Sequence, residues 1–144
     1  MIYLDSSVVF SAQVKDANTL AANALLQSAR GSLGLTQLCE VEVVNAVSLR
    51  LFRKEISDAQ AQASIADLEK NLSMGVYQLL PFPDGAFGRA KALALALTPT
   101  IGVRAADLLH VAAALELRAD AFYTFDLKQH RTAKAAGLTV NPLP

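Results

Sequence analysis

Short apolar runs alternate along the chain with longer amphipathic segments. The short runs are rich in β-branched and aromatic residues, which is typical of buried strands. They predict five strands, at about residues 2–4, 33–36, 76–80, 121–125 and 138–141. Apolar residues recur every three or four positions in the longer segments, which predicts helices. These helices cover about residues 16–30, 38–54, 57–74, 85–97, 104–117 and 127–136.

Boundary residues support several of these elements. Residues 57–60 read Ser-Asp-Ala-Gln, a capping box that begins a helix, and Gly75 is expected to end it. The helix from residue 85 is expected to end before Pro99, because proline disfavours helical geometry in the residue before it. Since strands alternate with helices, we predict an α/β fold with a mainly parallel sheet.

Composition narrows the class of protein. The chain of 144 residues is expected to form a single domain over residues 1–144, and 53% of its residues are hydrophobic. Such a content suits a sheet covered on both faces, or a chain that buries further surface against a partner. The longest uncharged apolar stretch, residues 92–103, is too short for a membrane span, and no leader pattern opens the chain. We therefore expect a cytoplasmic protein without membrane association, and the single Cys39 excludes an internal disulfide.

Four acids can be placed at one edge of the predicted sheet. Asp5 and Asp126 each follow a strand, while Glu42 and Asp107 lie near the start of helices that follow strands. In an open parallel sheet the carboxyl ends of the strands meet at one edge, where ligands bind. The four side chains therefore converge if strands one and four are neighbours.

Carboxylates gathered in one crevice repel each other unless a cation neutralises them. Oxygen ligands without thiols favour Mg²⁺ or Mn²⁺, and such a site suits hydrolysis of a phosphodiester. Any one of the acids taken alone could instead cap a helix or lie on the surface. For all four to be at one edge without a shared role would require a coincidence.

Glu40 and His110 lie close in sequence to the predicted site acids. Glu40 stands two residues before Glu42, so the same helix offers two acids that point to different sides. Spacing alone leaves the choice between these two acids open. His110 is expected to be a core or helix-packing histidine rather than a ligand.

Four motifs together resemble those of PIN domains in order and spacing. They are Ile-Tyr-Leu-Asp-Ser-Ser at 2–7, Val-Glu-Val-Val-Asn-Ala at 41–46, Gly-Val-Arg-Ala-Ala-Asp-Leu-Leu-His-Val-Ala at 102–112 and Tyr-Thr-Phe-Asp at 123–126. More narrowly, the chain resembles VapC-type toxin ribonucleases of type II toxin–antitoxin systems over nearly its whole length. The motifs around Asp107 and Asp126 are the most specific part of this resemblance.

The resemblance implies a three-layer α/β/α fold with a mainly parallel sheet of four or five strands. It also implies a Mg²⁺-dependent endoribonuclease (Mn²⁺ being possible as the ion) that acts as a toxin, forms a homodimer and is inhibited by a cognate VapB-like antitoxin. The acids that match the catalytic, metal-binding positions are Asp5, Glu42, Asp107 and Asp126. Asn45 stands three residues after Glu42, as in the family pattern, which favours Glu42 over Glu40 as the acid of the site. Polar residues expected to support the acids are Ser7, Asn45, Arg104 and Thr124.

Two segments are locally basic in a chain whose 13 acidic and 13 basic residues balance. One contains Arg50, Arg53 and Lys54, and the other contains Lys128, His130, Arg131 and Lys134. A solvated helix face is the simpler interpretation of either segment. If the chain binds RNA, the expected phosphate contacts are Arg50, Arg53, Lys128 and Arg131.

Two rival functions remain open at this stage. One is a non-catalytic PIN-like module that binds RNA or a protein, against which the complete set of acids argues. The other is a phosphatase with Asp5 as nucleophile, but Ser7 stands where that pattern requires a second Asp.

The helices at 38–54 and 57–74 are joined by a very short link, so they should pack as an antiparallel hairpin. Part of the hairpin's apolar surface is predicted to bind the antitoxin, the alternative being that all its apolar residues belong to the core.

Overall fold

The first strand of the chain is the centre of the sheet. The computed structural model describes residues 1–144, and in it β1 (Ile2–Leu4) is buried throughout. It pairs with β2 (Leu33–Thr36) on one side and with β4 (Ala121–Tyr123) on the other. The strands β3 (Gln78–Leu80) and β5 (Thr139–Val140) form the edges. All pairings are parallel in the order β3-β2-β1-β4-β5, so β1 and β4 are neighbours, which is the condition for the four acids to converge.

Seven helices cover the two faces of this sheet. They are α1 (Ser6–Gln13), α2 (Thr19–Ser28), α3 (Gln37–Phe52), α4 (Asp58–Ser73), α5 (Ala86–Ile101), α6 (Ala105–Glu116) and α7 (Leu127–Ala135). None of them is both long enough and apolar enough to cross a membrane.

Two apolar cores, one on each face, hold the layers together. On one face the buried residues come from α1, α3 and α4 and include Val9, Val43 and Leu68. On the other they come from α5, α6, α7 and the sheet, and include Val111 of α6 and Phe122 of β4. Because each face buries its own cluster, the sheet is the middle layer of the predicted three-layer α/β/α fold.

The helix α1 was not predicted, and the reason is local. Residues 6–13 contain three serines and two adjacent valines, which favour other structures. The helix forms because Asp5 is its N-cap, with the Ser7 backbone N–H donating to Oδ2 at 3.1 Å. The next helix begins at Thr19 and not at Asp16. Asp16 instead accepts a bond from the Asn18 N–H in the connecting loop.

The predicted end of the helix at residues 85–97, which is α5 in the structure, was also wrong. Helix α5 continues through Pro99 to Ile101. Proline removes only one backbone donor so close to the end of the helix. Gly102 then closes the last turn, because its N–H donates to the Thr98 carbonyl at 2.8 Å and its left-handed conformation (φ 69°) suits glycine.

The predicted hairpin of α3 and α4 is present, and the capping box at Ser57 and Gln60 forms with both hydrogen bonds. Its apolar residues divide between inside and outside. Val47 and Leu68 are buried, whereas Val41 and Phe52 are exposed. The hairpin therefore has an apolar outer face as well as a core face.

Candidate metal centre

The four acids line one pocket. It has a volume of about 220 Å³, and its lining residues are Asp5, Ser6, Ser7, Phe10, Glu42, Ala46, Arg104, Asp107 and Asp126. The acids come from four separate elements and meet because β1 and β4 are neighbours in the sheet. All four site acids predicted from the sequence are therefore brought together.

Asp5 is held rigidly by one of its two oxygens. Its Oδ2 accepts hydrogen bonds from the Ser7 N–H (3.1 Å), the Ser7 hydroxyl (2.6 Å) and the Thr124 hydroxyl (3.0 Å). Its Oδ1 accepts no hydrogen bond and lies 3.8 Å from Nε2 of His110. Asp5 therefore caps a helix and still has one oxygen available to a ligand.

Asp126 has the same double role at the start of α7. Its Oδ1 accepts from the Gln129 N–H at 2.8 Å, which is an N-cap bond. Its other oxygen accepts no hydrogen bond, so capping does not exclude Asp126 from the pocket.

Thr124 connects these two acids. Its hydroxyl lies 3.0 Å from Asp5 Oδ2 and 2.6 Å from Gln129 Oε1, and it accepts from the Asp126 N–H at 3.0 Å. The Thr124 backbone is fixed in turn by Asn141, whose amide bonds its N–H at 2.8 Å and its carbonyl at 3.1 Å. Since Thr124 and Asn141 are both buried, this part of the site is rigid.

Glu42 is paired with His110. Oε2 of Glu42 lies 2.7 Å from Nε2 of the fully buried histidine. Burial by itself would raise the pKa of Glu42, but the hydrogen bond and charge of His110, with Ser6 and Arg104, outweigh it and lower that pKa. The pKa of His110 is raised, because the Glu42 bond and the charges of Asp5 and Asp107 outweigh its desolvation.

Asp107 is paired with Arg104, three residues earlier. Nε of the arginine lies 3.0 Å from Oδ2, and Nη2 lies 3.4 Å from Oδ1. The Arg104 side chain is 76% exposed, whereas that of Asp107 is 11% exposed. The bond to Asp107 and its charge raise the pKa of Arg104, so the guanidinium is a permanent cation at the mouth of the pocket.

The structure separates Glu42 from Glu40, as predicted, but not for the reason given. Asn45 is exposed and lines a different depression together with Glu40 and Val41. The residue one turn after Glu42 that does line the acid pocket is Ala46. The expectation that Asn45 supports the site is therefore corrected, although Glu42 remains the acid that faces Asp5.

The four basic residues expected to contact phosphate lie outside the pocket lining. The Arg50 guanidinium lies 5.6 Å from the centre of the Phe10 ring, which lines the pocket, and bonds Glu55 at 3.1 Å. Lys128 donates to the Gly102 carbonyl at 3.1 Å. The side chains of Arg53 and Arg131 are exposed.

Sequence reasoning missed several residues around the acids. His110 was assigned to packing, although it stands one helical turn after Asp107. Asp126 and Gln129 have the spacing of a helix cap, which could have indicated the hydrogen bond from the Gln129 N–H to Asp126. No local signal points to Asn141, because its partner Thr124 is brought to it by the pairing of β4 with β5.

The donor set fits a divalent cation. Ligand atoms of Asp5, Glu42 and His110 lie within 4.8 Å of one another, and Asp107 and Asp126 line the same pocket. Four carboxylates share the pocket with Arg104 and the adjacent His110, so negative charge is in excess. Carboxylate oxygens in excess suit a hard ion such as Mg²⁺ or Mn²⁺.

Comparisons with known proteins bear on the family and the fold of the chain. Residues 2–135 match the sequence model of the PIN domain. Similar solved structures include FitAcB from Neisseria gonorrhoeae (20% identity, 99% of this chain and 97% of that chain covered, TM-score 0.69). Another is VapC20 of Mycobacterium tuberculosis, a toxin that cleaves the sarcin–ricin loop (17% identity, 96% of this chain and 97% of that chain covered, TM-score 0.71). A third is VapBC2 from Rickettsia felis bound to a promoter DNA fragment (20%, 98% and 98%, 0.67). No curated protein is significantly similar in sequence.

Proposed function

The chain belongs to the PIN domain family, and from this premise we propose that it is a metal-dependent endoribonuclease, the toxin of a toxin–antitoxin pair. The observation that carries the proposal is the pocket in which acids from four separate elements meet. Its support from similar structures lies in their fold, which is shared with toxins and toxin–antitoxin complexes. A non-catalytic PIN-like module is the alternative, but it would have no need for all four acids.

The ion would be held by Asp5, Glu42, Asp107 and Asp126, and Mg²⁺ or Mn²⁺ suits these ligands. When bound, it would polarise the scissile phosphate and lower the pKa of an attacking water. The protein's own contribution is to fix the carboxylates. Thr124 and Ser7 orient Asp5, while Glu42, with its lowered pKa, stays ionised and can accept a hydrogen bond from a water in the pocket.

Arg104 can contact the substrate. It lines the pocket, is largely exposed, and uses only part of its guanidinium to bond Asp107. Its remaining N–H groups can donate to a phosphate oxygen of RNA. Phe10, with Arg50 next to its ring, offers an apolar and cationic surface beside the acids for an adjacent nucleotide.

The decisive experiment is cleavage of total RNA by protein stripped of metal and then refilled with Mg²⁺ or Mn²⁺. We expect cleavage at mapped positions in the refilled sample only, with single-stranded DNA as the comparison substrate. Equal cleavage with and without metal contradicts the metal-dependent mechanism. Metal binding without cleavage of any RNA would favour the non-catalytic alternative.

Two exposed apolar surfaces are proposed as binding sites for protein partners. The outer face of the hairpin, defined by Val41, Leu49 and Phe52, is proposed to bind an antitoxin helix. We also propose a homodimer, for which the exposed Phe87 and Leu95 on α5 provide apolar contact area. Light scattering of the purified chain tests the dimer, and a monomer at micromolar concentration contradicts it.

A further inference from the structure

A chain of buried hydrogen bonds runs through the core behind Glu42. Thr36 ends strand β2, and its hydroxyl lies 2.9 Å from the hydroxyl of Tyr3 on β1. The same Tyr3 hydroxyl lies 3.0 Å from Nδ1 of His110 on α6, whose Nε2 lies 2.7 Å from Glu42 on α3. The residues Thr36, Tyr3 and His110 are all completely buried. We call these three the buried arm.

The direction of the last bond in the arm follows from chemistry alone. An ionised carboxylate can only accept hydrogen bonds, so Nε2 of His110 must carry the proton that is shared with Glu42. Nδ1 can either accept from the Tyr3 hydroxyl or donate to it, because that hydroxyl can bond Thr36 in the other direction. In both arrangements His110 donates to Glu42, whatever the charge of the imidazole.

The arm also ties Glu42 to the strand that Asp5 follows. Tyr3 lies on β1 and Asp5 comes directly after its end, and the Tyr3 ring stacks on Phe122 of β4 at 5.6 Å. Glu42 is longer than the aspartates and only partly buried, so it would otherwise have more freedom of rotation. Glu42, held by the arm, belongs to the group of side chains whose ligand atoms lie within 4.8 Å of one another, together with Asp5 and His110 itself.

We infer that His110, oriented by Tyr3 and Thr36, is a positioning residue that holds Glu42 in its metal-binding geometry without itself ligating the ion. This inference rests on the proposed function. A metal-binding carboxylate is commonly fixed by an outer hydrogen-bond donor, and loss of such a partner weakens metal affinity by about 10–100-fold.

The test uses metal-stripped full-length protein and Mn²⁺ alone as the probe. His110→Leu removes the donor, whereas His110→Gln keeps an amide N–H near the place of Nε2. We expect His110→Leu to raise the dissociation constant for Mn²⁺ by about 10–100-fold, and His110→Gln to recover most of the lost affinity. Tyr3→Phe, which removes only the hydroxyl, should give a loss near the lower end of that range.

A matched control separates this effect from a general loss of packing. Tyr77→Phe alters another buried tyrosine, which does not line the acid pocket. It should keep wild-type Mn²⁺ affinity, whatever happens to the melting temperature. Should His110→Leu fail to fold, Tyr3→Phe against Tyr77→Phe decides the question.

Three results would overturn the inference. The first is wild-type Mn²⁺ affinity in both His110→Leu and Tyr3→Phe. The second is an equal loss in His110→Leu and His110→Gln, which would show that the donated hydrogen bond is not what matters. The third is nitrogen coupling to Mn²⁺ in pulsed EPR of the wild type, which would make His110 a ligand. If the wild-type chain binds no Mn²⁺, the proposed function fails as well, and that outcome is distinct from these three.

Discussion

The two faces of α3 differ in how completely the chain itself occupies them. On the inner face, Val43 and Val47 are buried in the core, and Glu42 is bonded to His110. On the outer face, Val41 and Phe52 are 65% and 82% exposed and have no apolar cover within the chain. One helix therefore serves both a site built from the chain's own residues and an apolar surface without a partner.

This difference indicates that the inner face of α3 serves the acid pocket and that its outer face serves association with a partner. Every acid of the pocket has a specific hydrogen-bonded partner, which fixes geometry before any ligand arrives. Exposed apolar residues stabilise an isolated fold very little, so the outer face contributes favourable free energy only when a partner buries it. Variants on the inner face should therefore change chemistry, and variants on the outer face should change association.

The largest effect is expected at the acids. Asp5→Asn and Asp107→Asn should each reduce Mg²⁺-dependent RNA cleavage by more than about 100-fold, because even outer partners of a metal ligand contribute 10–100-fold to affinity. The fold should remain intact or become more stable, since one of several mutually repelling charges is removed. Cleavage rates of refilled protein measure the first expectation and melting curves of metal-stripped protein measure the second, and near wild-type cleavage by either variant contradicts the site.

A comparison within α3 comes next in size. Glu42→Gln should lower cleavage by about 10-fold or more, whereas Glu40→Gln should stay close to wild type. The two residues are about 200° apart around a helix of 3.6 residues per turn, so only one can face the pocket. Parallel cleavage assays on the two variants measure the difference. An equal loss in both, or a loss in Glu40→Gln alone, would mean that the wrong acid is assigned.

The parts that the sequence made predictable are those with a local or periodic signal. Parallel strands, the capping box at Ser57 and the acids after β1 and β4 follow from patterns within a few residues. Helix α1 was missed because its residues have weak helix propensity, which the local N-cap bond between Asp5 and the Ser7 N–H offsets. Asn141 and the partners of His110 were missed because their contacts join residues far apart in sequence, which no local pattern records.

A smaller effect, on stability more than on chemistry, is expected at Thr124. Thr124→Val keeps the shape of the side chain but removes the hydroxyl that Asp5 and Gln129 share. Loss of a buried hydrogen-bonding group should lower the free energy of unfolding by about 1–3 kcal/mol. Urea unfolding measures this change, with Thr139→Val at an exposed position of β5 as the control. No difference between the two variants would show that the Thr124 contacts do not stabilise the site.

The smallest effect on the chain itself is expected on the outer face of α3. Phe52→Ser should change the free energy of unfolding by less than about 0.5 kcal/mol, as is usual for exposed positions. The same change should weaken binding of the cognate antitoxin, because the hairpin's outer face is proposed to receive its helix. Leu20→Ser, on the exposed face of α2, is the matched control and should leave antitoxin affinity unchanged.

Hydrogen exchange of the chain alone and with its antitoxin locates the contact directly. Since a bound helix would shield the hairpin, we expect protection to increase between residues 38 and 74 and to do so less in Phe52→Ser. The alternative, that the hairpin's apolar residues serve only the core, already fails for Val41 and Phe52, which are exposed. No added protection between residues 38 and 74 would place the antitoxin elsewhere, and the outer face of α3 would then lose its proposed role.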